Sequence, residues 1–198
     1  KLDRDLYDKD GVILDQIGAS AAGQLPKGFD PSSLYPARQH PKALQMTVFG
    51  MGDALGQLGI DWKNIQEKIS PDEVAVFSGA AIGQLDGFGF GGLMQSRLKG
   101  SRASSKNLAL GLVEMSADFI NAYILGSVGR TGHVVGACAT FLYNLQMGKE
   151  AIESGSARFV VVGGAEAPIT PEIVDGFYAM SALSDDKRMM EMQAQQNE

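Results

Sequence analysis

The chain has 198 residues, of which 44% are hydrophobic and 20% charged, as expected of a globular domain that buries a sizeable core. Its net charge of −6 argues against a general affinity for nucleic acid, whose phosphates attract clustered lysine and arginine. One cysteine and two histidines exclude an internal disulfide and are poor material for a zinc site, so we expect a reducing, cytoplasmic location and no metal.

The sequence contains no run of eighteen apolar residues, and its first residues, KLDRDLYDKDG, lack the apolar core of a secretory signal. We therefore expect no membrane insertion. Residues 185–198 are polar and rich in Met and Gln, which predicts a frayed, truncated or mobile tail.

The first half of the chain contains a predicted helix and a predicted buried strand. From Pro41, apolar residues recur at intervals of three or four, and Gly59 can end the helix as a cap. These apolar residues are Leu44, Val48, Met51, Leu55 and Leu58. The apolar run from Val74 to Phe77 then predicts a strand buried on both faces, followed by a glycine-rich loop.

The second half alternates helical and strand patterns. A helix is predicted from about Leu108 to Leu125, ending at Gly126, and the segment TGHVVGAC predicts a short strand. The next helix carries Phe141, Leu142, Leu145 and Ile152 on one face and ends at Gly155, and the strand Phe159 to Val162 follows it. Strand, helix and strand with short joints predict a crossover unit, and hence an α/β fold with a mostly parallel sheet.

The single cysteine, Cys138, is predicted to lie where a strand ends and a helix begins. Backbone N–H groups and the positive end of a helix dipole favour a thiolate at such a position, and the carboxyl edge of a parallel sheet is where α/β proteins gather ligands. Cysteine is also among the most buried residue types and often only fills space. Geometry alone therefore leaves both a nucleophile and a core residue open.

The block VVGACAT, followed by GSARFVVVGGAEAPITPEIVDGFYAMSALS, resembles the N-terminal half of β-ketoacyl-acyl-carrier-protein synthases, members of the thiolase-like superfamily. The family's cysteine element, its GGAE strand end, and its ITP, GF and ALS elements occur in order between Gly132 and Ser184. The likeness extends more loosely back to about Lys42. The resemblance implies a layered αβαβα fold, with residues 1–184 as the N-terminal half and 185–198 as a separate tail.

By this resemblance, Cys138 accepts an acyl group, and a carbanion from decarboxylated malonyl-carrier then attacks it. The resemblance implies an acyltransferase of fatty-acid or related synthesis with acyl carrier protein as partner, a homodimer and no cofactor. The family's two catalytic histidines belong to a C-terminal half that is not recognisable here. Two alternatives stay open: a thiolase-type enzyme acting on acyl-coenzyme A, and a non-catalytic chain-length partner subunit.

Substrate-binding residues are also implied by the resemblance. Phe177 occupies a position beside the family's acyl pocket, and Met115 lies in a region that reaches the partner subunit's pocket, although core packing explains both residues equally well. Thr140 and Phe141 stand where the family often has Ser-Gly, so the bulk of Phe141 is expected to shorten or redirect the acyl site. A basic run, Arg97, Lys99, Arg102 and Lys106, is a candidate docking surface for the acidic carrier protein, or simply a solvated face.

Neither histidine is assigned a catalytic role. If residues 133–138 form a strand, His133 and Cys138 point to opposite faces, and His40 precedes a proline-led helix as a boundary residue. The run GFGFGG, Gly87 to Gly92, fits the dinucleotide pattern, but it lies too far from the preceding strand and no acidic residue follows at the required distance. We interpret it as a mobile lid or a loop beside the substrate.

Overall fold

The computed structural model describes residues 5–7, 10, 13–16, 18–19, 21–167 and 169–196. Its contacts divide the chain into two compact units. One comprises Lys1–Phe29, Met94–Arg102 and Pro168–Glu198, and the other comprises Asp30–Leu93 and Ala103–Ala167. The larger second unit contains the cysteine and the parallel sheet.

A three-stranded parallel sheet forms the centre of the larger unit. Strand β3 (Val74–Ser78) lies in the middle, with β4 (Arg130–Gly132) on one side and β5 (Phe159–Gly163) on the other. Every residue of β3 is buried, as the unbroken apolar run predicts. The predicted α/β class, with a mostly parallel sheet and a crossover helix, is confirmed.

Helices cover this sheet. The larger unit contains α1 (Lys42–Gln57), α2 (Trp62–Gln66), α4 (Ser105–Leu110), α5 (Met115–Ile120) and α6 (Thr140–Glu153), while α3 (Phe90–Gln95) runs across the boundary at Leu93. The main core lies between α1, α5 and the sheet. Its buried members are Met51, Leu55, Val74, Val76, Ala117, Ile120, Leu125 and Val161.

The first predicted helix is confirmed as α1, in which Leu44, Val48, Met51 and Leu55 are buried. Leu58 lies just past the helix and is 65% exposed, so its assignment to the apolar stripe is wrong. Gly59 has a positive φ of 64°. This conformation ends the helix, and the chain changes direction there.

The helix predicted from about Leu108 to Leu125 is interrupted. It consists of α4, a break, α5 and a π-helical turn Asn121–Leu125 that ends at Gly126, as predicted. At the break, the carbonyls of Gly111 and Val113 accept hydrogen bonds from the N–H groups of Gln84 and Ala80. Because these carbonyls accept hydrogen bonds from the loop that follows β3, they do not take part in hydrogen bonds within a helix. This explains the interruption.

The smaller unit contains an antiparallel pair, β1 (Asp5–Tyr7) and β2 (Ile13–Gln16), and helices α7 (Pro171–Ala179) and α8 (Asp186–Gln196). Val174 and Tyr178 of α7 pack with Ala19. Most of the segment 185–198 forms the exposed helix α8, and residues 197 and 198 lie outside the described residues. Its assignment as a separate tail stays a prediction.

Helix α6 packs on the sheet with a face that is not its most apolar one. Its buried residues are Thr140, Asn144, Gly148 and Ala151, and the helix contacts β3 and β5. The apolar residues that the sequence pattern groups on one face, Phe141, Leu142, Leu145 and Ile152, are all exposed. Small and polar side chains face the sheet because they allow the close approach of the helix.

Candidate active site

Cys138 lies in a short 3-10 turn, Ala137–Ala139, between β4 and α6. Its thiol is free and the residue is exposed. Strand β4 ends at Gly132, so residues 133–138 are not the strand that the sequence suggested. The cysteine nevertheless comes directly before a helix, two residues ahead of Thr140, as predicted.

Backbone and side-chain hydrogen bonds fix this turn. The Thr140 hydroxyl donates to the Ala137 carbonyl at 2.7 Å and accepts from the Gly136 N–H at 3.0 Å. The Ala139 N–H donates to the Gly136 carbonyl at 2.9 Å. Ala137 has a positive φ of 49°, a left-handed conformation that costs a residue with a Cβ roughly 1–2 kcal/mol, and these bonds hold it there.

The start of α6 presents backbone donors beside the cysteine. This helix has 14 residues, and no side chain of the described residues caps its first turn with a hydrogen bond. The first N–H groups of a helix have no partner within the helix, and the helix dipole places partial positive charge there. The arrangement can therefore stabilise negative charge on a group that reacts at this end.

His133 follows β4 directly, so the strand alternation used to place it does not apply. Its Nε2 lies 3.2 Å from the Ala80 carbonyl oxygen, and its Nδ1 lies 3.3 Å from Nδ2 of Asn144. Both ring nitrogens thus have partners within the chain. Asn144 was not identified from the sequence, and only its polar character on a helix face of small residues signals a buried role.

Glu166, in the GGAE element after β5, was also missed as a structural contact. Its carboxylate accepts a hydrogen bond from the Ala81 N–H, which ties the exits of β5 and β3 together. Gly164 lies so close to the exit of β3 that a Cβ on it would be 2.5 Å from the Gly79 carbonyl oxygen. The ends of β3 and β5 are therefore closely packed against each other at the carboxyl edge of the sheet.

His40 lies in an aromatic cluster with Tyr35, Phe119 and Tyr123. Its Nδ1 is 3.4 Å from the Tyr35 hydroxyl. Burial, together with the charge of Lys106, lowers the pKa of His40, and burial raises the pKa of Tyr35 well above its usual range. His40 precedes Pro41, the N-cap of α1, so its predicted place at the helix boundary is confirmed, and its ring also packs among the aromatic side chains.

The predicted substrate residues lie in both units. Thr140 is buried, Phe141 is 52% exposed on the first turn of α6, and Met115 is half-buried at the start of α5. Phe177 is half-buried on α7 in the smaller unit. Their contacts with substrate stay predictions.

The four predicted docking cations are exposed, and none pairs with a carboxylate among the described residues. Arg97, Lys99 and Arg102 lie in the segment Met94–Arg102, and Lys106 lies on α4 of the larger unit. Lys106 also lines an open cleft of about 470 Å³, whose other residues are Pro36, Arg38, Gln39, His40, Ala109 and Leu110. Arg38 is a second cation of this cleft and was not identified from the sequence.

The glycine-rich loop is held by side chains at both ends. Asn107 donates to the carbonyls of Gly87 and Gly89 at 2.9 and 3.2 Å. Asp86 accepts from the N–H groups of Lys42 and Phe88 at 2.7 and 2.9 Å. The proposed movement of this loop over a substrate stays a prediction.

The sequence model of the β-ketoacyl synthase N-terminal domain matches residues 3–197. The chain belongs to the β-ketoacyl synthase family. Over 171 residues it is 58% identical to the β-ketoacyl-[acyl-carrier-protein] synthase FabY of Pseudomonas aeruginosa. This alignment covers 86% of this chain and 27% of FabY. The family resemblance of the Gly132–Ser184 block is thereby confirmed.

Solved structures agree on the fold. The crystal structure of the ketosynthase FabY from P. aeruginosa matches with a TM-score of 0.83 at 57% identity, covering 88% of this chain and 28% of that chain. A β-ketoacyl synthase from Burkholderia phymatum STM815 matches with a TM-score of 0.70 at 21% identity, over 86% of this chain and 41% of its own, which shows a shared fold. The predicted thiolase-like α/β fold is confirmed, and the chain spans about a quarter of the length of FabY.

Among the described residues, no helix offers an apolar stretch that could span a lipid bilayer. No group of three or more His, Cys, Asp and Glu side chains among them is arranged to hold a metal ion.

Proposed function

We propose that this chain is the nucleophile-bearing part of a β-ketoacyl-acyl-carrier-protein synthase that acts in fatty-acid or related synthesis. The observation that carries the proposal is the exposed thiol of Cys138, held in a turn at the start of α6. A family member that served only as a chain-length partner would not need this thiol. The FabY relative is itself named a β-ketoacyl-[acyl-carrier-protein] synthase.

The reaction divides one difficult condensation into two easier steps. The Cys138 thiolate attacks the carbonyl carbon of an acyl thioester, and the carrier thiolate leaves with the electrons of the broken C–S bond. Loss of CO₂ from malonyl-carrier then gives a carbanion, which attacks the acyl carbonyl, and the Cys138 thiolate leaves. Both attacks place negative charge on the carbonyl oxygen, and backbone N–H groups at the start of α6 can stabilise it.

The substrate-binding part of the proposal involves four residues. Phe141 stands three residues after the nucleophile and is exposed, so its ring can limit the acyl chain that reaches Cys138. Met115, Thr140 and Phe177 are assigned to the acyl site by the family resemblance. The histidines that promote decarboxylation in the family would come from the part of the protein beyond this chain.

Acyl carrier protein is the proposed partner. It is strongly acidic, and the unpaired cations Arg97, Lys99, Arg102 and Lys106 offer complementary charge. The cleft at Lys106 adds Arg38, and no carboxylate of the described residues lines it. We propose that the carrier docks at Arg38 and Lys106 in the larger unit, and that Arg97, Lys99 and Arg102 are the candidate docking cations of the smaller unit.

We propose a cytoplasmic location, which the free thiol supports.

Two surfaces that have no partner among the described residues support a larger assembly. The apolar side chains on the outer face of α6, which include Phe141, Leu142 and Leu145, would be covered by the remainder of the longer protein, since this chain matches only 27% of FabY. Strand β4 is an edge of its sheet in the described residues, so its outer side is open to a second copy. We propose a homodimer with β4 near the two-fold axis.

The test is a condensation assay on the full-length protein. With an acyl primer and malonyl-carrier protein, wild type should release CO₂ and form a β-ketoacyl product, and Cys138→Ala should form none. Product formation from two acyl-coenzyme A molecules without CO₂ release would instead indicate a thiolase-type enzyme. A folded protein that is never acylated would indicate the non-catalytic partner.

A further inference from the structure

Three polar side chains hold the segment around Cys138, and none of them was identified from the sequence as doing so. They are His133, Thr140 and Asn144, which we call the brace. Thr140 and Asn144 are buried on α6, and His133 is half-buried in the segment that follows β4. Buried polar groups need partners, and in the brace each side chain has them.

Asn144 is the centre of the brace and is fully buried. The Val134 N–H donates to its Oδ1 at 2.9 Å, which fixes the orientation of the amide because an N–H must face the oxygen. Nδ2 of Asn144 therefore faces His133 and donates to its Nδ1 at 3.3 Å. One side chain thus fixes both the backbone and the imidazole ring ahead of the cysteine.

His133 extends the brace to the central strand. Since its Nδ1 accepts a hydrogen bond, the proton lies on Nε2, which donates to the Ala80 carbonyl at 3.2 Å. Ala80 comes two residues after β3. One chain of hydrogen bonds consequently joins three elements. They are the exit of β3 at Ala80, the segment at His133 that precedes the cysteine, and helix α6 at Asn144.

Thr140 closes the brace on the other side of the cysteine. Its hydroxyl joins Gly136 and Ala137, the two residues before Cys138. Ala137 has a left-handed φ of 49°, and without these bonds it would relax toward the ordinary right-handed or extended regions. Such a relaxation would rotate the peptide that carries Cys138 and move its sulfur relative to the start of α6.

We propose that His133, Thr140 and Asn144 are positioning residues that hold the Cys138 sulfur in the geometry required for acyl transfer. This inference rests on the proposed function for its purpose, and on the hydrogen bonds for its mechanism. The three residues act through the backbone on both sides of the nucleophile. Thr140 is accordingly assigned to holding the turn, in addition to its place in the acyl site.

A matched pair at Thr140 gives the sharpest test. Thr140→Val keeps the shape and removes the hydroxyl, whereas Thr140→Ser keeps the hydroxyl. In the full-length protein we expect Thr140→Val to slow alkylation of Cys138 by iodoacetamide about ten-fold, on the order of the effect of losing the two hydrogen bonds of the hydroxyl. Thr140→Ser should stay within about two-fold of wild type, as should Leu55→Ala, a core variant far from the turn in sequence.

A double-mutant cycle tests the part of the brace formed by His133 and Asn144. Asn144→Leu and His133→Leu each break the same chain of bonds, so the double variant should react no more slowly than the slower single variant. If the decreases in alkylation rate of the two single variants simply add in the double variant, His133 and Asn144 act independently. That result would overturn the proposed hydrogen-bond network. If Cys138 in Thr140→Val is alkylated at the wild-type rate, the proposed role of the whole brace is overturned.

Acylation measured in parallel separates this inference from the proposed function. If Thr140→Val is alkylated normally but acylated slowly, the hydroxyl contacts substrate and its positioning role is overturned. If wild type is never acylated by any acyl thioester while the alkylation differences hold, the proposed function fails and the brace stands.

Discussion

Gly79 is the residue at which the packing around His133 can be tested most sharply. It directly follows β3, and a Cβ added there would overlap the imidazole ring of His133, at 2.5 Å from Cε1 and closer still to Nδ1. Its φ lies outside the left-handed region, so alanine meets no backbone strain at this position. Any loss of stability in Gly79→Ala must therefore come from displacement of the ring.

The ring has to move by about 1 Å to restore ordinary van der Waals contact. Its two hydrogen bonds are already 3.2 and 3.3 Å long, so both would be lost, at about 1 kcal/mol each. Overpacking adds about 1–3 kcal/mol, and the lower entropy of an unfolded chain with alanine offsets about 0.4–1 kcal/mol. We expect the free energy of unfolding to fall by about 2–5 kcal/mol.

Urea denaturation of the full-length protein, followed by circular dichroism, measures this loss. The control is the same substitution in a His133→Ala background, where the space is empty and the alanine should raise the free energy of unfolding by about 0.4–1 kcal/mol. Equal losses in the two backgrounds, or a single variant as stable as wild type, would refute the packing argument.

Three other predictions concern the nucleophile, the core and pH. Cys138→Ala should leave the unfolding free energy within about 0.5 kcal/mol of wild type, because the residue is exposed; a large loss on denaturation would show a structural role. Leu44→Ala, at a fully buried site, should cost about 2–5 kcal/mol, whereas Leu58→Ala, at a site 65% exposed, should cost under about 0.5; similar losses would contradict the burial described. Because the pKa of His40 is lowered in the folded state, the unfolded state takes up its proton first as pH falls through about 6.5. Wild type should therefore lose more stability than His40→Gln between about pH 7 and pH 5 in denaturation curves, and equal losses would exclude this contribution.

The elements that the sequence predicted best are those whose burial is decided by local pattern. In α1 the apolar spacing marks the buried face, and in β3 and β5 short apolar runs between turns mark the strands. The family motif also located the cysteine turn. These features need no knowledge of neighbouring segments.

Helix α6 shows where such reasoning ends. Apolar side chains define a helix face, but Phe141 and Leu142 are exposed while Asn144 and Gly148 face the sheet. A Cβ on Gly148 would lie 2.6 Å from Cγ2 of Val162, so small size decides which face packs. The apolar face stays exposed among the described residues, so hydrophobicity alone indicates the wrong side for packing on the sheet.

Long-range hydrogen bonds account for the other differences. The break between α4 and α5 exists because the loop after β3 bonds to Gly111 and Val113, about thirty residues away. The early end of β4 coincides with the bonds of His133 and Val134 to Ala80 and Asn144. No local pattern encodes such pairs, so the brace became visible only in three dimensions.

The most direct test of the account is the intact mass of the full-length protein before and after incubation with an acyl thioester. We predict a gain of one acyl group, released by hydroxylamine and mapped to the peptide that contains Cys138, with no gain for Cys138→Ala. A folded wild-type protein that gains no mass, or gains it equally in the alanine variant, would contradict the claim that this sulfur is the acyl acceptor.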